Sequence, residues 1–106
     1  PTIFYEYMLD IAKLAHKKNI KTVWVTCGYI NEKPLRELCR YLDAANIDLK
    51  AYSEKFYHTY TTGELEPILK TIKIAREEGL YFELTNLVIP DANDSPQMIK
   101  NMCDWI

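Results

Sequence analysis

The sequence predicts an α/β protein built on a parallel sheet. Three stretches read as strands: "KTVWVTC" (21–27) and "YFELTNLVIP" (81–90) by their β-branched and aromatic content, and "ANIDLKAY" (45–52) by strict apolar/polar alternation. Helical periodicity stands before, between and after them, giving the order α-β-α-β-α-α-β-α. Strands separated by helices connect by right-handed crossovers and therefore lie parallel. Such an arrangement makes part of a barrel or of a doubly wound sheet.

Each element has a local cause. A helix over 2–18 is expected from Ile3, Tyr7, Met8, Ile11, Leu14 and Ala15. It ends at "HKKN", where basic residues suit the negative helix end and Asn19 suits a left-handed cap. After the first strand, Asn31 is expected to cap a second helix running through "LRELCRYL", with Pro34 tolerated in its first turn. Ser53 is expected to cap a short helix after the second strand. "TTGELEPILKTIKIAREEG" (61–79) predicts a longer helix stopped by Gly79. Pro90 closes the third strand, and a last helix starts with Ser95 at the cap and Pro96 at the first helical position. Both ends read as cut: there is no initiator Met, and "MIKNMCDWI" stops inside an apolar helical pattern. The expectation is a single unit, residues 1–106, belonging to a longer protein.

Composition excludes some classes of function. The 106 residues are 48% hydrophobic and 26% charged with a formal net charge of −2, which gives no electrostatic case for nucleic acid or an anionic membrane. The apolar runs are far too short to span a bilayer, and the opening residues do not read as a signal peptide. Cys27, Cys39 and Cys103 are an odd, widely spaced set, suggesting reduced thiols of a cytoplasmic protein rather than a disulfide framework or a local metal site.

The second strand raises the functional question. Asn46, Asp48 and Lys50 share one parity, opposite Ala45, Ile47, Leu49 and Ala51. In a parallel barrel one strand face packs on helices and the other faces the lumen, where the active site forms at the carboxyl ends. An Asp and a Lys two positions apart lie roughly 7 Å apart along the backbone, within reach of each other's charge. The other reading, an edge strand with its polar face in solvent, stays open. "VTCGYI" puts Thr26, Cys27 and Gly28 at the exit of the first strand, either as a plain strand-to-helix turn or as a place where backbone and hydroxyl approach a ligand. On the third strand Glu83 and Thr85 share a face; the bland reading of Glu83 is a carboxylate paired with a lysine. His16 reads as a helix-end charge and His58 as part of a surface aromatic cluster. There is no Walker loop, GxGxxG or HExxH.

Taken together and in order, "PTIFYEY", "VTCGYI", "IDLKAY" and "LVIPDANDS" resemble the middle of radical S-adenosylmethionine (SAM) enzymes, in particular the pyruvate formate-lyase activating enzyme group and its uncharacterised homologues. The resemblance covers essentially the whole chain. It implies part of a partial (β/α)6 TIM-like barrel, truncated at both ends, with approximately the third to fifth strands present. It further implies a [4Fe-4S] cluster on a CxxxCxxC loop that binds SAM and cleaves it reductively to a 5′-deoxyadenosyl radical. That loop, and the methionine-binding motif that Pro1 and Thr2 would follow, would lie upstream, so none of the three cysteines here is a cluster ligand. Thr26-Cys27-Gly28 falls where activating enzymes usually carry Thr-Asn-Gly near the cofactor, and Val25 stands where the activating enzyme proper has an Asp. Asp48-Leu49-Lys50 matches an Asp-x-Lys whose Lys contacts the cofactor carboxylate, and Thr85 falls where some members have a basic residue. The implied cofactor-binding set is thus Thr26, Cys27, Gly28, Asp48, Lys50 and Thr85. The implied partners are a protein substrate such as a glycyl radical enzyme and an electron donor such as flavodoxin or ferredoxin.

Two other classes are carried alongside. A barrel lyase or aldolase would use Lys50 as a Schiff-base amine, which Asp48 opposes by favouring the charged form. A small non-enzymatic α/β interaction domain would leave no apolar sheet face uncovered.

Overall fold

In the computed structural model, which describes residues 2–106, the three strands form one parallel sheet in the order β1-β2-β3. They are β1 (Val23–Thr26), β2 (Ala44–Asp48) and β3 (Tyr81–Thr85). Val25 pairs with Asn46, Asn46 with Glu83, and Asp48 with Thr85, so like parities line up across the sheet. The helices are α1 (Tyr5–Lys17, after a 3-10 turn Thr2–Phe4), α2 (Glu32–Cys39), α3 (Glu54–Phe56), α4 (Glu66–Glu77) and α5 (Pro96–Trp105). The predicted α/β architecture and parallel sheet are both present. Pro1, assigned above to the exit of an upstream motif, lies outside the described residues.

One side of the sheet carries the core. Trp24, Ala45, Ile47 and Leu49 are buried with Leu35 and Leu38 of α2 and Ile68, Leu69, Ile72 and Ala75 of α4. Among the described residues no helix covers the other side: Val23, Val25 and Tyr81 are more than 60% exposed. That uncovered apolar surface is what the interaction-domain reading required to be absent.

Local signals behave largely as expected. The Ser53 hydroxyl accepts the Phe56 N–H at 3.2 Å, and the Ser95 hydroxyl accepts the Met98 N–H at 3.3 Å. Asn19 and Gly79 take left-handed backbone at φ 55° and 72° after α1 and α4. Five expectations need correction. Asn31 occupies the cap position of α2 but its side chain makes no capping bond. The apolar stripe read for α1 is out of phase: Leu9 and Ala12 are buried while Ile3, Tyr7, Ile11 and Leu14 are exposed. This helix carries apolar residues on two faces, and the Tyr5 hydroxyl, which donates to the Pro34 carbonyl at 3.0 Å, ties the Leu9 face toward α2. The helix read over 61–79 begins only at Glu66, because residues 57–61 continue α3 as a π-helical turn (Tyr57–Thr61). β3 stops at Thr85 rather than 90, since the Asn86 amide takes the Leu49 and Lys50 carbonyls that a longer strand would have bonded. β2 likewise ends at Asp48, although the Leu49 N–H still donates to the Thr85 carbonyl at 3.0 Å and burial alternates through Ala51.

Candidate functional site

The polar parity of β2 lies on the open side, at its carboxyl end. The Lys50 ammonium meets Asp48 Oδ2 at 2.8 Å, with each side chain about one-third exposed, at 36% and 34%. Beside them the Thr85 hydroxyl donates to Asn46 Oδ1 at 2.7 Å. Glu83, one step below, receives the Tyr81 hydroxyl at 3.4 Å, where the sequence suggested a lysine. The arrangement is a short row of amide, carboxylate, ammonium and hydroxyl groups on an uncovered sheet face. Such a row can offer charge-assisted contacts to a zwitterionic or hydroxylated ligand.

The β1 exit divides its three residues between the two sides. Thr26 is only 4% exposed and faces the helices; its hydroxyl accepts the Gly28 N–H at 3.0 Å. Gly28 sits at φ +74°, and a Cβ there would stand 3.2 Å from Ile47 Cγ2 and 3.4 Å from Ile68 Cγ2. Its carbonyl accepts the Thr71 hydroxyl of α4 at 2.6 Å. Thr26 and Gly28 therefore shape the turn and pack inward, and of the two readings the sequence left open, these contacts are those of a strand-to-helix turn. Cys27, between them, is exposed and points into an open pocket of about 330 Å³ with Tyr29, Lys50, Tyr57 and the 61–63 turn.

Three residues at this site went unread in the sequence. Tyr57 is 3% exposed, and its hydroxyl accepts the Lys50 N–H at 3.1 Å; burial pushes the phenol above its usual range. Asn86 donates to the Leu49 and Lys50 carbonyls at 2.8 and 3.0 Å, and Asn93 donates to the Lys50 carbonyl at 2.5 Å. Ser53, the expected cap, nucleates the helical turn that delivers Tyr57. Asparagines in loops otherwise carry no signal that distinguishes a turn former from a clamp.

His58 is exposed and lies 3.8 Å from Glu54. Among the described residues no group of three His, Cys, Asp or Glu side chains is placed to hold a metal ion. Cys39 is half-buried in α2, and burial pushes its thiol up to about 11, which disfavours the thiolate a metal needs. No helix among the described residues is long and apolar enough to cross a membrane.

Known proteins give this geometry a context. The chain is 40% identical over 95 residues to an uncharacterized protein of Methanocaldococcus jannaschii, covering 90% of this chain and 28% of that protein. It is 30% identical over 103 residues to the (2S)-3-sulfopropanediol sulfolyase activating enzyme of Bilophila wadsworthia, covering 95% of this chain and 34% of that one. The chain thus spans about a third or less of the length of these relatives. In structure it is similar to a domain of pyruvate-formate lyase-activating enzyme from Bacteroides vulgatus, with a TM-score of 0.91, 23% identity, and 99% of this chain and 65% of that chain covered. That likeness shows the fold: the parallel three-stranded sheet is a fragment of the partial TIM barrel of such enzymes. The Radical SAM superfamily profile matches residues 1–106, and the chain belongs to that superfamily.

Proposed function

We propose that this chain is the central part, approximately the third to fifth barrel strands, of an enzyme that cleaves SAM reductively, and that its open sheet face holds the amino-acid end of SAM. The observation that carries the reading is the Asp48–Lys50 pair, 2.8 Å apart on the uncovered parity at the strand's carboxyl end. The residues present fit SAM: an ammonium for its carboxylate, Asn46 and Thr85 as neutral polar partners, and Cys27 at the pocket mouth. They do not fit the [4Fe-4S] cluster itself, for which the described residues offer no ligand group, so its ligands are assigned to an upstream CxxxCxxC.

The chemistry of bond cleavage would come from the cluster, which supplies the electron that breaks a carbon–sulfur bond of the sulfonium. The residues here bind and orient. Lys50, held against Asp48, would present a fixed ammonium to the carboxylate, a charge-assisted contact that sets the register of the whole ligand. Asp48 would keep that ammonium aimed through their 2.8 Å contact. A lysine already engaged this way is a contact group rather than an amine nucleophile, which disfavours the Schiff-base alternative. Fixing one end of a flexible ligand lowers the entropy cost of placing its reactive end.

The Bilophila relative is named an activating enzyme of a sulfolyase, which supports a protein as the substrate; a glycyl radical enzyme as that protein, and flavodoxin or ferredoxin as electron donor, are carried over from the family resemblance alone. Two experiments test the assignment. The complete chain should encode the three-cysteine loop upstream of Pro1. Purified without oxygen, it should contain a [4Fe-4S] cluster and release 5′-deoxyadenosine from SAM on reduction. A complete chain lacking those cysteines, or releasing no 5′-deoxyadenosine, defeats it.

A further inference from the structure

We infer that Asn93 is a positioning residue for Lys50, acting with Asn86 and Tyr57 to clamp the Lys50 backbone from both sides. The inference rests on the assignment of Lys50 to the SAM carboxylate. Lys50 lies just beyond the last ladder residue of β2, so no neighbouring strand fixes it there. Side chains replace the missing ladder: Tyr57 accepts the Lys50 N–H, while Asn86 and Asn93 both donate to the Lys50 carbonyl. Asn93 is 2% exposed and makes further bonds, donating to the Leu87 carbonyl at 2.9 Å and accepting the Ile89 N–H at 2.6 Å. Its amide orientation follows from these partners, since two carbonyls require the nitrogen and an N–H requires the oxygen. A buried amide with both donors and its oxygen engaged is rigid, because leaving any of these groups unpaired in the interior is costly.

This arrangement couples regions far apart in sequence. The 86–93 segment reaches back 43 residues to set the Cα from which the lysine extends. A long side chain places its charge only as well as its anchor is held, and small displacements at a binding group cost disproportionately. The competing explanation is that Asn93 merely ties its own loop through Leu87 and Ile89. A ligand without the carboxylate separates the two.

The test uses the complete, cluster-loaded protein and compares the affinities of SAM and decarboxylated SAM. Lys50→Ala is the reference and should weaken SAM alone. Asn93→Ala should then weaken SAM about fivefold to tenfold while changing decarboxylated SAM less than about twofold, and should add little in the Lys50→Ala background. Tyr57→Phe, which keeps the ring and deletes only the hydroxyl, should show the same selectivity at about twofold to threefold, and decides the matter if Asn93→Ala does not fold. Equal weakening of both ligands, or no weakening of either in variants whose Lys50→Ala reference responds, overturns the clamp. An unresponsive Lys50→Ala instead removes the SAM assignment, and the clamp's purpose with it.

Discussion

The two parities of the same three strands face different surroundings. On one side Trp24, Ala45, Ile47 and Leu49 are between 0 and 4% exposed, packed under α2 and α4. One residue along each strand, Val25, Asn46, Asp48, Glu83 and Thr85 stand on a face that no helix of the described residues covers. The covered side is selected for volume and shape, because interiors are close-packed and each lost methylene is felt. The open side escapes that demand and can carry an amide, a carboxylate, an ammonium and a hydroxyl in a row. The lesson is that stability and chemistry are separated here by one residue of strand register, so a one-step slip would exchange them.

Substitutions on the two sides should behave accordingly. The largest effect belongs to the covered side: Ile47→Ala empties a fully buried position and should cost about 2–5 kcal/mol in denaturant unfolding. A loss under about 1 kcal/mol would mean that this face is not the core. Gly28→Ala comes next, at about 1–3 kcal/mol, because it combines a φ of +74° with a Cβ 3.2 Å from Ile47 Cγ2. An unchanged midpoint would return Gly28 to the ligand-facing role that the sequence suggested.

A third prediction concerns pH. Burial raises the Cys39 thiol from 9.0 to about 11, so above the lower value the unfolded chain gives up its proton first. The protonated thiol's contribution is fully present below about pH 9 and should be lost as pH rises through about 11. Unfolding of wild type and Cys39→Ala across that window should show the wild type losing stability more steeply, and parallel curves would contradict the burial of this thiol. The smallest effect belongs to the open side: Thr85→Val removes the hydroxyl bond to Asn46 and should cost no more than about 0.5–1 kcal/mol, the side chains being solvated. A loss comparable to Ile47→Ala would erase the contrast between the faces.

How far the sequence discloses this arrangement depends on the range of the interaction. The parity of β2 was legible because Asn46, Asp48 and Lys50 alternate with small and aliphatic residues. Ser53, Ser95, Asn19 and Gly79 were legible because caps and turns are local. The orientation of Thr26 follows from its parity with Trp24, whereas whether a strand-exit Thr-Cys-Gly is a plain turn or a ligand approach is not written in the pattern. The phase of α1 was ambiguous because apolar residues occupy two of its faces, and only contact with α2 selects one. Tyr57, Asn86 and Asn93 act on Lys50 across 7, 36 and 43 residues through side-chain-to-backbone bonds, which no periodicity encodes.

The central claim is that the open face receives the amino-acid end of SAM through Lys50. Its most direct test is equilibrium binding of SAM to the complete, cluster-loaded protein with and without Lys50→Ala. The account predicts affinity weakened by about tenfold or more with iron and sulfide content unchanged, in line with losing a charge-assisted contact. Equal affinity in the two proteins would contradict it.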